Sequence, residues 1–237
     1  LIFCPVYYWG AADGGDPKTY TEALGRALDE DILVFWTGDA VVTPRITRKA
    51  AGSFRAAVGH RIVIWDNYPV NDRSGALHLG PVIGREPDLG EVAYGYMSNP
   101  HAPQNEINRI PLLTCADYAW NPRAYDPARS IGQAIAHLAD TPGQKAALKD
   151  LVELYPGDLI SGSTMTGYNG VLEKTAALLK EPGGRRLAGR FIGHVERLAA
   201  RLDREFPGRY AETKKTLAAH IARAREMLAA KVPARST

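Results

Sequence analysis

Along the first half of the chain, apolar residues come in short unbroken runs that alternate with stretches where they recur every three or four positions. Leu1 to Tyr8 predicts a buried strand, and Thr21 to Asp29 a helix with Ala23, Leu24, Ala27 and Leu28 on one stripe. Asp31 to Trp36 predicts a second strand, ending at Thr37-Gly38, and Thr47 to Val58 a second helix. A third strand, Arg61 to Trp65, enters Asp66-Asn67-Tyr68-Pro69. A fourth, Glu91 to Met97, ends at Ser98-Asn99-Pro100, and a helix from Gln104 to Ala119 is interrupted by Pro111. Strands that are apolar throughout and alternate with helices imply a parallel sheet covered on both faces.

From Asp126 onward the texture changes. Ser130 to Leu138, Gln144 to Leu154, Val171 to Leu179, Leu187 to Phe206 and Tyr210 to Ala230 all carry a helical apolar period. Thr141-Pro142-Gly143, Pro156-Gly157 and Glu181-Pro182-Gly183-Gly184 separate them as turns. Leu198, Leu202, Leu217, Ile221, Ala224 and Leu228 suit an antiparallel helix pair in a bundle. The fold class is therefore α/β then all-α, with residues 1–128 as the α/β part and 129–237 as the helical bundle.

Tyr8, Trp36, Trp65, Asn67 and Asn99 all fall at or just past the C-terminal end of a strand. Open α/β sheets and (β/α) barrels place their sites there. About four such units make half of an eight-stranded barrel, whose edges would be unpaired. Either the sheet is open, or the first half of a barrel lies upstream of Leu1. The chain starts inside an apolar run without Met, as a fragment would, so any targeting segment would lie outside it.

Composition narrows the classes. Of 237 residues, 45% are hydrophobic and 23% charged, as in an ordinary globular protein. No apolar run is long enough for a membrane-spanning helix. Two cysteines exclude a disulfide scaffold, and no metal-ligand spacing of Cys or His occurs. Residues 185–237 hold 13 basic against 5 acidic side chains, within a net charge of +3. That basic end lacks interleaved aromatics and follows amphipathic spacing. It is expected to be the solvated face of surface helices rather than a nucleic-acid site. The Ala/Arg/Gly-rich texture leans toward a bacterial, secreted protein.

The densest chemistry is Trp65-Asp66-Asn67-Tyr68-Pro69-Val70-Asn71-Asp72. An indole beside carboxylates and amides suits a sugar, whose apolar face stacks on the ring while Asp and Asn bind the hydroxyls. A hard-cation site using Asp66, Asn67 and Asp72 is a second reading, although Tyr-Pro breaks the ligand alternation of a calcium loop. A turn whose Asn and Asp cap backbone groups is a third. Asn99 before Pro100 shares the sugar and turn readings. The six histidines show no mutual spacing and are expected to be surface or satisfied core residues. Cys4 is expected to be inert, and no GxSxG elbow occurs.

Phe3-Cys-Pro-Val-Tyr-Tyr8, Phe35-Trp-Thr-Gly38 followed by Val41-Val42, Trp65-Asp-Asn-Tyr-Pro-Val-Asn-Asp72, Leu79-Gly-Pro81, Ser98-Asn-Pro100 and Ala116-Asp-Tyr-Ala-Trp-Asn-Pro122 with Tyr125-Asp-Pro127 occur in this order. Together they resemble glycoside hydrolase family 84, the β-N-acetylglucosaminidases that include O-GlcNAcases and enzymes once called hyaluronidases. The resemblance implies the C-terminal half of a (β/α)8 TIM-type barrel, strands five to eight, followed by the bundle. It implies a retaining, substrate-assisted mechanism in which the 2-acetamido oxygen of the sugar forms an oxazoline. Two adjacent aspartates would do the proton work, but no Asp-Asp dipeptide occurs in these residues. By the resemblance, that pair is expected upstream, and this chain supplies no catalytic residue.

The binding residues carried over are Tyr8 for the acetamido oxygen, Trp65 for the acetyl methyl pocket, and Asn67 for the sugar and acetamido region. Asp72 would hold the 4- and 6-hydroxyls and Asn99 the same end, with Asp66 grouped beside them. Tyr8 follows Val6-Tyr7 where many members have Thr-Glu. The implied partner is an N-acetylglucosamine-containing glycan or glycoprotein, together with the missing barrel half. No cofactor, metal, nucleic acid or membrane span is implied. A non-catalytic N-acetylhexosamine-binding module is the alternative.

Overall fold

The computed structural model describes residues 1–10, 16–71, 77–102, 106–157 and 170–230. Its first part is a four-stranded parallel sheet in the order β1 (Ile2–Phe3), β2 (Leu33–Trp36), β3 (Ile62–Asp66) and β4 (Ala93–Ser98). Helix α1 (Asp16–Ala27) joins β1 to β2, α2 (Arg48–Val58) joins β2 to β3, and α3 (Arg109–Trp120) follows β4. A parallel sheet is what the alternating pattern predicts; its sequential order comes from the structure, and among the described residues β3 and β4 are joined by a single 3-10 turn, Leu89–Glu91, rather than an α-helix.

The first strand is shorter than its apolar run. Pro5 has no N–H to give the ladder, so regular pairing stops at Phe3. Backbone pairing resumes further on, where Thr37 N donates to Tyr8 O at 2.8 Å and Gly10 N to Gly38 O at 2.8 Å. Pro111 does not interrupt α3, because the helix begins only at Arg109 and Pro111 falls in its first turn, where no intrahelical N–H is needed.

Among the described residues, helices cover one face of the sheet, where the sequence pattern predicts both. Val34, Trp36, Ile62 and Ile64 are buried against Ala51, Phe54 and Val58 of α2 and Cys115 and Tyr118 of α3. Residues alternate across a strand, so Phe35, Trp65 and Met97 share the opposite face. There Phe35 and Trp65 meet edge to face at 5.0 Å, and Met97 is 49% exposed.

Among the described residues, the helical part holds α4 (Pro127–Leu138), α5 (Pro142–Leu154), α6 (Gly170–Lys180), α7 (Gly184–Glu205) and α8 (Ala211–Ala229). Asp126 caps α4 by accepting from Arg129 N, and Thr141 caps α5 by accepting from Gln144 N, each with Pro at the first helical position. Leu148, Leu151, Val195, Leu198, Leu202 and Leu217 form its core. Leu77, Leu79, Ile107 and Ile110, from the loops that follow β3 and β4 and from the start of α3, belong to the same core. Leu79 N donates to Tyr155 O at 2.9 Å, and a side chain at Gly80 would strike the Pro156 carbonyl. The loop leaving β3 is thus seated on the bundle.

Candidate functional site at the strand ends

Two amides form the centre of the site. Asn67 follows the last residue of β3 and Asn99 follows the last residue of β4, in adjacent strands whose register pairs Asp66 with Ser98. Asn99 Nδ2 donates to Asn67 Oδ1 at 2.9 Å, and Asn67 Nδ2 donates to Val41 O at 2.5 Å. Asn99 N donates to the Asp66 carbonyl at 2.8 Å. An amide group has two N–H donors and a two-lone-pair oxygen. These bonds therefore fix both amides and leave one N–H of each, and the Asn99 carbonyl oxygen, outside them. Both residues are half-buried.

Trp65 lies two positions before Asn67, half-buried on the face away from the helices. Tyr8 stands at the same end of the sheet on the other side of β2, where its carbonyl accepts from both Thr37 N and Thr37 Oγ1, the latter at 3.3 Å. Its ring packs against Trp9 at 4.8 Å. Trp36 Nε1 donates to Gly10 O at 3.1 Å, which ties this segment to β2. The structure joins Asn67 directly to Asn99 and sets Trp65 and Tyr8 at the same end of the sheet. Asp72 lies outside the described residues.

Asp66 requires a correction. It is the last residue of β3 and points opposite to Trp65, into the helix layer, where it is 1% exposed. Arg85 Nε donates to its Oδ2 at 2.6 Å, Arg85 Nη2 donates to its Oδ1, and Tyr96 Oη donates to Oδ2 at 2.5 Å. A carboxylate so engaged has neither the exposure nor the free oxygens to bind a sugar or a cation; its partner is Arg85. Burial alone would lower the Arg85 pKa, but Asp66 beside it raises it overall. Burial, then Asp66, pushes the Tyr96 hydroxyl well above its ordinary value, so it stays a donor. The Cys115 thiol rises to about 12 from burial and from Asp66.

The loops that follow β3 and β4 are held together by a second set of groups. Ala102 N donates to Asn71 Oδ1 at 3.1 Å, and His78 N donates to His101 Nε2 at 2.8 Å. The His78 and His101 rings stack 5.7 Å apart, and Asn108 exchanges two bonds with the His101 backbone. Both histidines are buried, but His101 Nδ1 has no hydrogen-bond partner, so His101 is not the satisfied core residue expected. Their pairing across 23 positions carries no sequence signal. Arg85 and Tyr96 were likewise missed. Only a third strand extended by one residue, to Asp66, would have indicated that a buried carboxylate needed a cation.

A family model described as beta-N-acetylglucosaminidase matches residues 1–153. The chain belongs to the beta-N-acetylglucosaminidase family. Among solved structures it resembles a mutant of the Thermobaculum terrenum O-GlcNAc hydrolase, with a TM-score of 0.73 at 24% identity. The match covers 96% of this chain and 50% of that one. A structure titled CpGH84B matches with a TM-score of 0.74 at 24% identity, over 96% of this chain and 42% of that one. The chain thus spans half or less of the length of these two structures. Its β-N-acetylglucosaminidase-type fold is the C-terminal half of their barrel followed by the helical part.

Proposed function

We propose that this chain forms the sugar-binding half of a retaining β-N-acetylglucosaminidase that releases terminal β-linked N-acetylglucosamine. The observation that carries the reading is the Asn67–Asn99 amide pair, fixed just past the ends of adjacent strands, two residues beyond Trp65 and Met97, in a member of this family. In this reading Trp65 walls the acetyl methyl, and Asn67 and Asn99 use their remaining polar groups on the sugar. Asp72 grips its outer hydroxyls. The Tyr8 hydroxyl steadies the acetamido oxygen as it attacks the anomeric carbon. The sugar supplies its own nucleophile, so configuration is retained through an oxazoline. Two carboxylates outside these 237 residues would orient the acetamido group and move the proton to and from the glycosidic oxygen.

The test is hydrolysis of 4-nitrophenyl N-acetyl-β-glucosaminide. The full-length protein is expected to turn it over with retention, and Asp72→Ala to cost several kcal/mol of transition-state binding, since each charge-assisted hydrogen bond contributes roughly 1.5–3 kcal/mol. The 237 residues alone are expected to give no turnover above background. Full activity from them would refute the assignment of proton transfer to groups outside the chain. A full-length protein that binds N-acetylglucosamine but hydrolyses nothing would instead be a binding module.

A further inference from the structure

We infer that Arg85, acting through Asp66, is the positioning residue of the sugar site; the inference rests on the sugar-binding reading of Asn67 above. Arg85 lies in the segment between β3 and β4, and its guanidinium and the Asp66 carboxylate are each 1% exposed. Among the described residues its hydrogen bonds go to Asp66, Pro44 and Ile83, and none goes to Trp65, Asn67 or Asn99. What it does touch is the end of β3 and the loop between β2 and α2, and it reaches β4 through Asp66. Two of its N–H groups hold Asp66, and Nη1 donates to Pro44 O at 3.1 Å and to Ile83 O at 2.7 Å.

Each partner leads to an amide. Pro44 belongs to the loop between β2 and α2, and Val41 of that loop accepts the Asn67 amide. The Asp66 carbonyl accepts from Asn99 N at 2.8 Å and from Tyr68 N at 2.8 Å. Tyr96, on the Asp66 carboxylate, brings in β4, the strand that carries Asn99. Ile46 N donates to Gly84 O and Glu86 N to Ile46 O, which lays the loop alongside Arg85. Gly84 has φ +76, and a Cβ there would strike the Pro44 carbonyl, so the two backbones meet with no side chain between them.

The guanidinium suits this task because it presents donors in a rigid planar fork. It serves both carboxylate oxygens and two carbonyls at once. A lysine would keep the charge but offer donors from a single point. Fixed polar groups bind a sugar without having to be ordered on each encounter.

A double-mutant cycle in the full-length protein tests this, with kcat/KM and KM on 4-nitrophenyl N-acetyl-β-glucosaminide as readout. Arg85→Lys is expected to lower kcat/KM about tenfold, mostly through KM, and Asn67→Ala to lower it about tenfold or more. If Arg85 acts through the amide pair, adding Arg85→Lys to Asn67→Ala costs clearly less than the roughly tenfold it costs alone, the remainder passing through Asn99. Two losses that multiply to about a hundredfold would overturn the inference, since independent sites add in free energy. If Arg85→Lys does not fold, the apolar triple variant Asp66→Leu, Arg85→Met, Tyr96→Phe replaces it. That variant is expected to melt near the wild type yet show the raised KM, and wild-type kinetics in it would overturn the inference. A wild type that neither hydrolyses the glycoside nor binds N-acetylglucosamine overturns the sugar-site reading and this inference with it. An active wild type with multiplying losses overturns this inference alone.

Discussion

The two parts of the molecule place their charges in opposite ways. In the bundle, Leu148, Leu151, Val195, Leu198, Leu202 and Leu217 fill the interior, and ion pairs such as Arg225–Glu196 and Lys149–Glu153 stay at the surface. In the sheet part, an ion pair, a tyrosine hydroxyl and a histidine stack are inside. Apolar burial is non-directional, so the bundle tolerates shifts so long as volume is kept. Hydrogen bonds in a low dielectric are directional and costly to leave unmade, so the sheet part holds its strand ends in one geometry. The candidate site lies where geometry is fixed by bonds rather than by area.

The comparison breaks first at Arg85. Arg85→Met leaves the Asp66 charge buried and unpaired, and should cost about 3–5 kcal/mol in urea denaturation. Leu198, 2% exposed in the bundle, sets the opposing case. Leu198→Ala should cost about 2–5 kcal/mol and leave KM unchanged in the full-length protein. A change of KM there would show that the bundle, too, sets the site. Asn67→Ala should leave the melting temperature within a few degrees while lowering kcat/KM by about 1–3 kcal/mol of transition-state binding.

A pH series sharpens the contrast further. Burial, with His78 adding to it, pushes the His101 imidazole down to about 3 from 6.5. The unfolded chain takes up this proton near 6.5 and the folded one only near 3. Stability should therefore fall as pH drops through that window, by up to about 1.4 kcal/mol per pH unit. Burial also lowers His220 in the bundle. His101→Gln isolates the sheet part's share: the difference in urea midpoint between pH 7 and 5 should shrink relative to the wild type. The smallest effect is expected from Arg225→Ala. Its pair with Glu196 has side chains 66% and 34% exposed, so denaturation should register under about 1 kcal/mol.

How far the site was legible depends on the residue. Asn67 and Asn99 could be found because each ends an apolar run, and the sheet turns two such positions into neighbours. Asp66 sits between Trp65 and Asn67 and reads as part of the same cluster, yet strand alternation sends it to the opposite face. The sequence strand ended at Trp65, and one more residue of strand reverses the meaning of the carboxylate. The overlong first strand has the same origin: apolarity continues through Pro5, but the ladder needs an N–H there.

Periodicity and punctuation alone determined that the sheet is parallel, the helices of the second part that lie among the described residues, and the strand ends where polar groups gather. These follow from local rules that act within a few residues. Only the tertiary structure decided that Arg85 neutralises Asp66 across 19 positions and that His78 meets His101. It alone placed Leu77 and Leu79 in the bundle core. The physical reason is that a buried polar group must find a partner somewhere, and nothing local in the chain specifies where. The folded path brings the partners together, and the cost of leaving them unpaired keeps them there.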